Sequence, residues 1–224
     1  MNIALTDISK NEIWRYLGYS GQVDSNTTAL VEECSSQLLA IARPKALWRE
    51  LAISIREDGV LLKESGLYLP GRDLAKHLAG CSVAIVLAAT MGVQVDTFIR
   101  RYQIADLARA VVMDSCATAA IEEVCNRIEE LIMDVLPGKY FTSRFSPGYG
   151  DLPLTIQKDL LVLLDAPRQI GLCVTSANIL TPHKSVTALI GVSDTPLQRG
   201  QRRCQSCPVK NTCQFRTKGE YCGL

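Results

Sequence analysis

Four cysteines near the end of the sequence have the spacing of a metal site. Cys204, Cys207, Cys213 and Cys222 form the pattern Cys-x2-Cys-x5-Cys-x8-Cys. Few apolar residues accompany them, so this segment cannot fold by burial alone and needs a covalent or metal staple. A reducing compartment disfavours disulfide bonds. The pattern therefore predicts a tail, residues 199–224, in which four thiolates hold one metal centre.

Two kinds of metal centre satisfy this ligand set. A structural zinc site commonly has two Cys-x2-Cys pairs, and only Cys204 and Cys207 are spaced in that way. A [4Fe–4S] cluster tolerates irregular spacing, and the step Cys207-Pro208 also occurs in ferredoxin-type motifs. We favour the iron–sulfur cluster and keep zinc as the alternative.

The tail is also rich in basic side chains, which admit two explanations. Cations stabilise the negative charge that four thiolates leave around a metal. A nucleic-acid patch is the other explanation, but only Phe215 and Tyr221 offer surfaces on which bases could stack. We therefore expect no nucleic-acid partner. The basic residues are Arg199, Arg202, Arg203, Lys210, Arg216 and Lys218.

A second candidate site is the loop Arg144-Phe-Ser-Pro-Gly-Tyr-Gly-Asp-Leu-Pro153. Pro147 presets φ for the first corner of a type II turn, and Gly148 supplies the positive φ of the second corner. Such a turn would hold Arg144 and Tyr149 in fixed relative positions. The glycines of the loop carry no Cβ, so we expect main-chain amides here to be open to a ligand.

This loop and a later segment together resemble a known family. The later segment, residues 170–191, has a strand, a Thr/Ser-containing turn, a proline and then Ser-Val before a second strand. In this order the two motifs resemble the activation domain of cobalamin-dependent methionine synthase, whose loop binds S-adenosylmethionine. The resemblance implies an α+β fold over residues 1–198, with a twisted antiparallel or mixed sheet flanked by long helices. The cysteine tail would follow this domain.

The resemblance also implies how S-adenosylmethionine would be held. Arg144 would bind its carboxylate in a forked contact, the amides around Gly148 would bond to its polar edges, and Tyr149 would stack on adenine or donate its hydroxyl. The ammonium and sulfonium need an acidic partner, for which Glu122 is the candidate and Glu123 the alternative. No residue is assigned a catalytic role. The predicted cofactor-binding set is Glu122, Arg144, Pro147, Gly148, Tyr149 and Ser176.

The function implied is that of a free-standing activation domain. The sequence has no corrinoid-binding Asp-x-His-x-x-Gly string, so cobalamin is expected on a partner, either a methionine synthase or another corrinoid protein. This chain would support the reductive methylation of cob(II)alamin there, as a component of a reactivation system. A separate electron donor is expected, and an iron–sulfur cluster in the tail is a candidate relay.

Two other functions are compatible with parts of the sequence. In the first, the chain is a non-catalytic accessory protein with a structural zinc tail, and the loop from Arg144 to Pro153 binds a partner. In the second, it is an ordinary methyltransferase, but no strand is followed by the glycine-rich turn and helix of the Rossmann kind. We therefore retain the accessory protein as the alternative.

Composition sets the frame for these sites. The chain has 224 residues, 47% hydrophobic and 21% charged, as expected for a globular protein. A net charge of +1 gives no general attraction to nucleic acid or to an anionic membrane. No uninterrupted apolar run reaches the ~20 residues that span a bilayer. We expect a cytoplasmic protein with no membrane partner.

Local patterns predict the elements that position the sites. Ser9 is a candidate cap for a short helix, and a second helix is expected to begin after Asp24 or Ser25 and to end before Pro44. A break near Tyr102-Gln103 is expected to divide the helical pattern of residues 92–137. Cys34, Cys81, Cys116, Cys125 and Cys173 lie in apolar segments, where we expect buried, reduced thiols. Further helices are predicted over residues 72–79 and 154–164, and strands within 45–69, 82–89, 172–175 and 186–192.

Overall fold

A computed structural model describes residues 1–19 and 23–197. The four tail cysteines, and the metal centre predicted for them, lie outside these residues. The helices are α1 (Lys10–Tyr16), α2 (Ser25–Ile41), α3 (Arg72–His77), α4 (Val93–Ala105), α5 (Leu107–Val135), α6 (Ile156–Leu163) and α7 (Ala166–Ile170). The strands are β1 (Lys45–Arg56), β2 (Gly59–Leu62), β3 (Leu67–Pro70), β4 (Val83–Thr90), β5 (Tyr140–Phe141), β6 (Cys173–Val174), β7 (Leu180–Thr181) and β8 (Ser185–Ser193).

Six of the strands form one sheet in the order β3-β2-β1-β4-β8-β5, and β6 and β7 form a separate hairpin. Every pairing between these named strands is antiparallel. Strand β4 is central, with Leu87 opposite Trp48 on β1 and Ala188 on β8. The predicted fold class, a sheet flanked by long helices, is therefore confirmed.

Two hydrophobic cores pack on opposite faces of the sheet. Ile85 and Leu87 of β4 join the core beneath α1, α2, α4 and α5. Ala84 and Val86 join the core beneath α3, α6 and α7. Because successive strand residues point to opposite faces, a strand covered on both sides is apolar at every position. This double burial explains the continuous apolar run of β4.

Side-chain caps set several helix boundaries. The Ser9 hydroxyl accepts from the amide of Glu12, and the Asp24 carboxylate accepts from the amide of Thr27, as the sequence predicts. The predicted break after α4 lies at Asp106 rather than near Tyr102, because its carboxylate caps α5. The short elements β5, β7 and α7 were not predicted.

The scattered cysteines behave as predicted with one exception. Cys34, Cys81, Cys116 and Cys125 are buried, whereas Cys173 is exposed, so its predicted burial is wrong. Cys173 lies on the two-residue strand β6, which pairs only with β7 and lies outside the main sheet. Burial raises the pKa of Cys34 to about 11 and that of Cys125 to about 12, which makes these thiols poor nucleophiles.

Over the described ranges, no helix has the length and apolar character of a membrane span.

Candidate functional site

Residues 143–152, hereafter the Arg144 loop, contain the predicted turn. The amide of Tyr149 donates to the Ser146 carbonyl at 3.0 Å, and Gly148 has a φ of +93°. This positive φ at the third position is the conformation for which a type II turn requires glycine. The predicted turn at Pro147 and Gly148 is therefore present.

The amides of this turn are not open to a ligand as expected. The Gly148 amide donates to the Leu152 carbonyl at 2.8 Å, and the Tyr149 amide closes the turn itself. A Cβ added to Gly148 would lie 3.1 Å from the Leu154 side chain. The expectation of free amides at these two residues is wrong, because the loop satisfies its own backbone groups.

The beginning of the loop is fixed to the sheet. Phe145 and Leu189 exchange two backbone hydrogen bonds, each 2.9 Å long, which extend the pairing along β8. The Phe145 ring then lies 6.2 Å from the Tyr149 ring in an edge arrangement. Arg144 thus emerges from a backbone held by the sheet.

The Arg144 side chain lies against α5, where it contacts three polar residues. Its Nη2 donates to Glu122 at 2.8 Å, and its guanidinium contacts the Asn126 amide oxygen at 3.2 and 3.3 Å. Nη1 also pairs with Glu129. The Arg144 side chain is only 19% exposed. One guanidinium is therefore shared between two carboxylates in a largely desolvated position.

These contacts belong to a longer row of polar side chains on α5, the polar stripe. Spacings of three or four residues place its members on one side of a helix, over about 22 Å at 1.5 Å per residue. Lys184 reaches the other half of the row, with Nζ 2.9 Å from Asp114 and 2.8 Å from the Thr118 hydroxyl. The members are Asp114, Thr118, Glu122, Asn126 and Glu129.

A buried aspartate fixes the segment that carries Lys184. The amide of His183 donates to Oδ2 of Asp96 at 2.6 Å. Asp96 is 6% exposed, and its Oδ1 is a buried oxygen without a hydrogen-bond partner in the described part of the chain. The entry to β8 is thereby tied to the beginning of α4.

Electrostatics differ along the stripe. Burial raises the pKa of Glu129 above its ordinary value, against the opposing attraction of Arg144. Glu122 is more exposed, at 35% of its side chain against 23% for Glu129. Of the two partners of Arg144, Glu122 is therefore the more accessible to solvent.

Two shallow clefts lie elsewhere on the molecule. One, of about 270 Å³, is lined by residues that include Glu50, Lys139 and Asp194. The other, of about 150 Å³, lies on α4 beside Phe98 and Tyr102. Neither is lined by the Arg144 loop or by the polar stripe, so the candidate site rests on its charged groups rather than on an enclosed cavity.

Comparison with known proteins supplies the name of the fold. No family model matches the chain. Adenine deaminases from two strains of Cereibacter sphaeroides are 34% identical over 119 residues, which are 49% of this chain and 21% of the deaminase. The chain thus spans about a fifth of the length of these relatives.

A crystal structure of the MetH reactivation domain bound to AdoHcy superposes with a TM-score of 0.65 at 14% identity. The match covers 95% of this chain and 82% of that structure. The chain has the fold of the MetH reactivation domain. The predicted resemblance to the methionine synthase activation domain is therefore confirmed at the level of the fold.

Within this MetH reactivation fold, some of the predicted site residues are brought together and others are not. Arg144 and Glu122 are in direct contact, and Tyr149 follows on the same loop with 40% exposure. Glu123 is exposed on α5. Pro147 is buried in the turn, whereas Ser176 is exposed in the turn between β6 and β7. Their predicted roles in ligand binding remain predictions.

The remaining partners of Arg144 and Lys184 in this MetH reactivation fold were not predicted from the sequence. Asn126 and Glu129 complete the environment of Arg144, and Asp114 and Thr118 receive Lys184. The recurrence of polar residues at helical spacing was visible in the sequence. Their basic partners were not, because each lies on a distant segment of the chain.

Proposed function

We propose that this chain binds S-adenosylmethionine beside the Arg144 loop and supports the reductive methylation of cob(II)alamin on a partner. The partner would be a methionine synthase or another corrinoid protein. The observation that carries the proposal is the fold of the MetH reactivation domain over 95% of the chain. The solved domain was bound to AdoHcy, the product that remains when S-adenosylmethionine loses its methyl group.

The residues present fit the amino-acid end of such a ligand. That end carries a carboxylate and an ammonium on one carbon, and the contact between Arg144 and Glu122 offers the two complementary charges 2.8 Å apart. A ligand carboxylate would replace Glu122 in the guanidinium fork. Glu122 would then accept from the ligand ammonium, so each charged group exchanges one partner for another.

The other contacts of Arg144 would hold it through this exchange. Glu129 is the less exposed of its two acidic partners, and Asn126 contacts the same guanidinium. An arginine that keeps these contacts has little rotamer freedom left to lose when a ligand binds. Tyr149, 40% exposed on the loop, offers a surface for adenine, and Ser176 offers a hydroxyl on the β6–β7 turn.

The chemistry would be supplied by the ligand and the partner, and the protein would supply placement. S-adenosylmethionine provides a methyl group activated by a sulfonium. One electron from a separate donor converts Co(II) to Co(I), which takes the methyl cation and leaves AdoHcy. The residues of this chain would bind the amino-acid end and orient the methyl group toward the cobalt of the partner.

For the tail we propose that Cys204, Cys207, Cys213 and Cys222 bind a [4Fe–4S] cluster, with zinc as the alternative. Such a cluster would supply one-electron chemistry, whereas zinc would leave the tail a structural role. Anaerobic purification distinguishes them. A brown protein with a broad band near 400 nm that dithionite bleaches supports the cluster. Colourless protein with stoichiometric zinc supports the non-catalytic accessory function.

Isothermal titration with S-adenosylmethionine tests the binding function. We expect saturable heat from the wild-type chain and its loss in Arg144→Ala. The matched control is Arg168→Ala, which removes an arginine whose side chain is 81% exposed and paired with Asp165. Absence of heat from the wild-type protein would remove the proposal.

Reactivation itself needs a second assay. The chain is mixed with a cob(II)alamin-loaded corrinoid protein, a one-electron reductant and S-adenosylmethionine. Methylcobalamin and AdoHcy should then appear in equal amounts. Binding without methylcobalamin formation across several corrinoid proteins would favour the accessory function instead.

A further inference from the structure

The short helix α3 contacts the Arg144 loop at both of its ends. At the N-terminal end of α3, the Asp151 carboxylate accepts from the amides of Arg72 and Asp73 at 2.7 and 3.1 Å. Amides in the first turn of a helix have no partner within the helix, and a carboxylate there is stabilised by their charge. The N-cap residue of α3 is Gly71, which has no side chain to offer. The loop therefore supplies the cap that the helix lacks.

Two close contacts between a glycine and an aspartate also join α3 to the Arg144 loop. A Cβ added to Gly71 would lie 2.7 Å from the Asp151 carboxylate, and one added to Gly150 would lie 2.7 Å from that of Asp73. Each segment thus presents a glycine to an aspartate of the other. The two glycines have φ of +139° and +52°, so a side chain at either would strain the backbone as well as meet the facing carboxylate.

At the other end of α3, His77 holds the beginning of the loop. Its Nε2 lies 2.7 Å from the Ser143 carbonyl. Its ring packs on Phe145 at 5.0 Å between centroids, and Phe145 packs on Tyr149 at 6.2 Å. A row of three rings therefore connects the helix to the tyrosine of the candidate site.

The helix is itself fixed to the sheet. Leu74 and Ala75 are buried in the core beneath α3. The Gly71 amide donates to the Asp58 carbonyl at 2.8 Å, in the turn between β1 and β2. Because both attachments are to the rigid part of the fold, α3 can impose a shape on the loop rather than follow it.

We propose that α3 is a template for the Arg144 loop, and that Asp151 and His77 are positioning residues for Arg144 and Tyr149. Both site residues lie between the two attachments, so loosening either attachment removes a restraint that acts beside the pairing of Phe145 with β8. The inference rests on the proposed function for its ligand. The shape of the loop can nevertheless be measured without any ligand.

The first experiment is limited chymotrypsin digestion of the full chain, followed by mass spectrometry. Asp151→Ala should accelerate cleavage after Tyr149, whereas the bond after Phe145, which is paired with Leu189 of β8, should stay protected. Asp151→Asn keeps an acceptor oxygen for one of the two amides and should restore protection in part. The matched control is Asp24→Ala, which removes the cap of α2 at Thr27. It should lower the unfolding temperature without exposing the loop.

The second experiment is titration of the same variants with AdoHcy. Misplacement of a binding group by about 1 Å can cost up to about a hundredfold, so Asp151→Ala should weaken binding by about tenfold or more. His77→Ala should do the same, with partial recovery in His77→Gln. Asp24→Ala should bind as the wild type does.

The outcomes separate the two proposals. Faster cleavage in Asp151→Ala with no AdoHcy binding by the wild type would support the template and remove the proposed function. Binding by the wild type, with cleavage and affinity in Asp151→Ala equal to those of Asp24→Ala, would overturn the template and leave the proposed function standing.

Discussion

Two segments next to β8, the Arg144 loop and residues 182–184, each place a basic side chain against α5. The contacts of the two side chains differ. Arg144 in the first segment contacts two carboxylates and an amide oxygen. Lys184 in the second contacts one carboxylate and one hydroxyl. Both are largely buried, with 19% and 16% of their side chains exposed. Within residues 1–19 and 23–197, the lysine pairs with one acid and the arginine with two.

This difference indicates that the segment of Lys184 is structural, whereas the segment of Arg144 can bind a ligand. If a ligand took Asp114 from Lys184, it would leave a largely buried ammonium with no other acidic partner among the described residues, which is costly. If a ligand takes Glu122 from Arg144, Glu129 still neutralises the guanidinium. Only the first segment can therefore release a partner at low cost. The following experiments test this contrast.

The largest effect is expected where the second segment is fixed to α4. Asp96→Ala removes the side-chain acceptor of the partly buried hydrogen bond from the His183 amide, and a hydrogen bond to a charged group contributes enough that stability should fall by about 2 kcal/mol. AdoHcy affinity should change little, because the contact that is removed lies at His183 and not in the Arg144 loop. Urea unfolding and titration measure the two quantities. Asp96→Asn retains an acceptor oxygen and is the control, and a variant that loses affinity but keeps its stability would contradict the contrast.

A smaller effect is expected from exchanging the basic groups themselves. Arg144→Lys keeps the charge but loses the fork that matches a carboxylate, so AdoHcy affinity should fall by about tenfold. Lys184→Ala should lower stability by about 1 kcal/mol or less, because its partner Asp114 is 52% exposed. AdoHcy affinity should change little, because Lys184 contacts the other half of the polar stripe from Arg144. Equal losses of affinity in the two variants would show that both segments bind the ligand.

The two acidic partners of Arg144 should also differ. Glu122→Gln removes the charge proposed for the ligand ammonium and should weaken AdoHcy binding by about fivefold. Glu129→Gln should have a smaller effect. The control ligand is 5′-methylthioadenosine, which lacks the amino-acid end, and neither variant should alter its affinity. A loss in Glu122→Gln that is the same for both ligands would place Glu122 away from the amino-acid end.

The smallest effect concerns pH. Burial raises the pKa of Glu129 in the folded state, so the folded chain binds its proton more tightly than the unfolded chain does. The resulting stabilisation is present below the ordinary glutamate pKa of about 4.3 and is lost as pH rises through the raised value.

Urea unfolding between about pH 4 and pH 7, a window that brackets the ordinary glutamate pKa, checks this. The difference in stability between the wild type and Glu129→Gln should move in favour of the variant as pH rises. Glu130→Gln, at an exposed position paired with Arg127, controls for the loss of one carboxylate. A difference that stays constant with pH would show that Glu129 titrates alike in both states.

Local interactions explain what could be predicted from the sequence. The caps at Ser9 and Asp24 depend on an amide three residues away. The turn at Pro147 and Gly148 depends on the conformational preferences of those two residues. Double burial of β4 shows directly as an apolar run. The family resemblance supplied the fold class, a sheet flanked by long helices, which no local pattern could supply.

Contacts between distant segments explain what could not be predicted. The carboxylate of Asp151 accepts from the amide of Arg72, 79 residues earlier. The sequence around Gly71 does not indicate that a distant residue supplies this cap. Arg144 and Glu129 are 15 residues apart and their contact depends on how the loop returns to α5. The amides at Gly148 could not be judged open or closed until Leu152 was placed.

The two glycine–aspartate contacts between α3 and the loop restrict how this sequence can change. Gly71 faces Asp151, and Gly150 faces Asp73, and the two glycines have φ of +139° and +52°, so a side chain at either glycine would be strained even if the facing acid became smaller. The constraint therefore falls on two pairs of positions, 80 and 77 residues apart by subtraction of the residue numbers. Retention of both glycines among distant homologues would record that constraint, independently of any measurement on this chain.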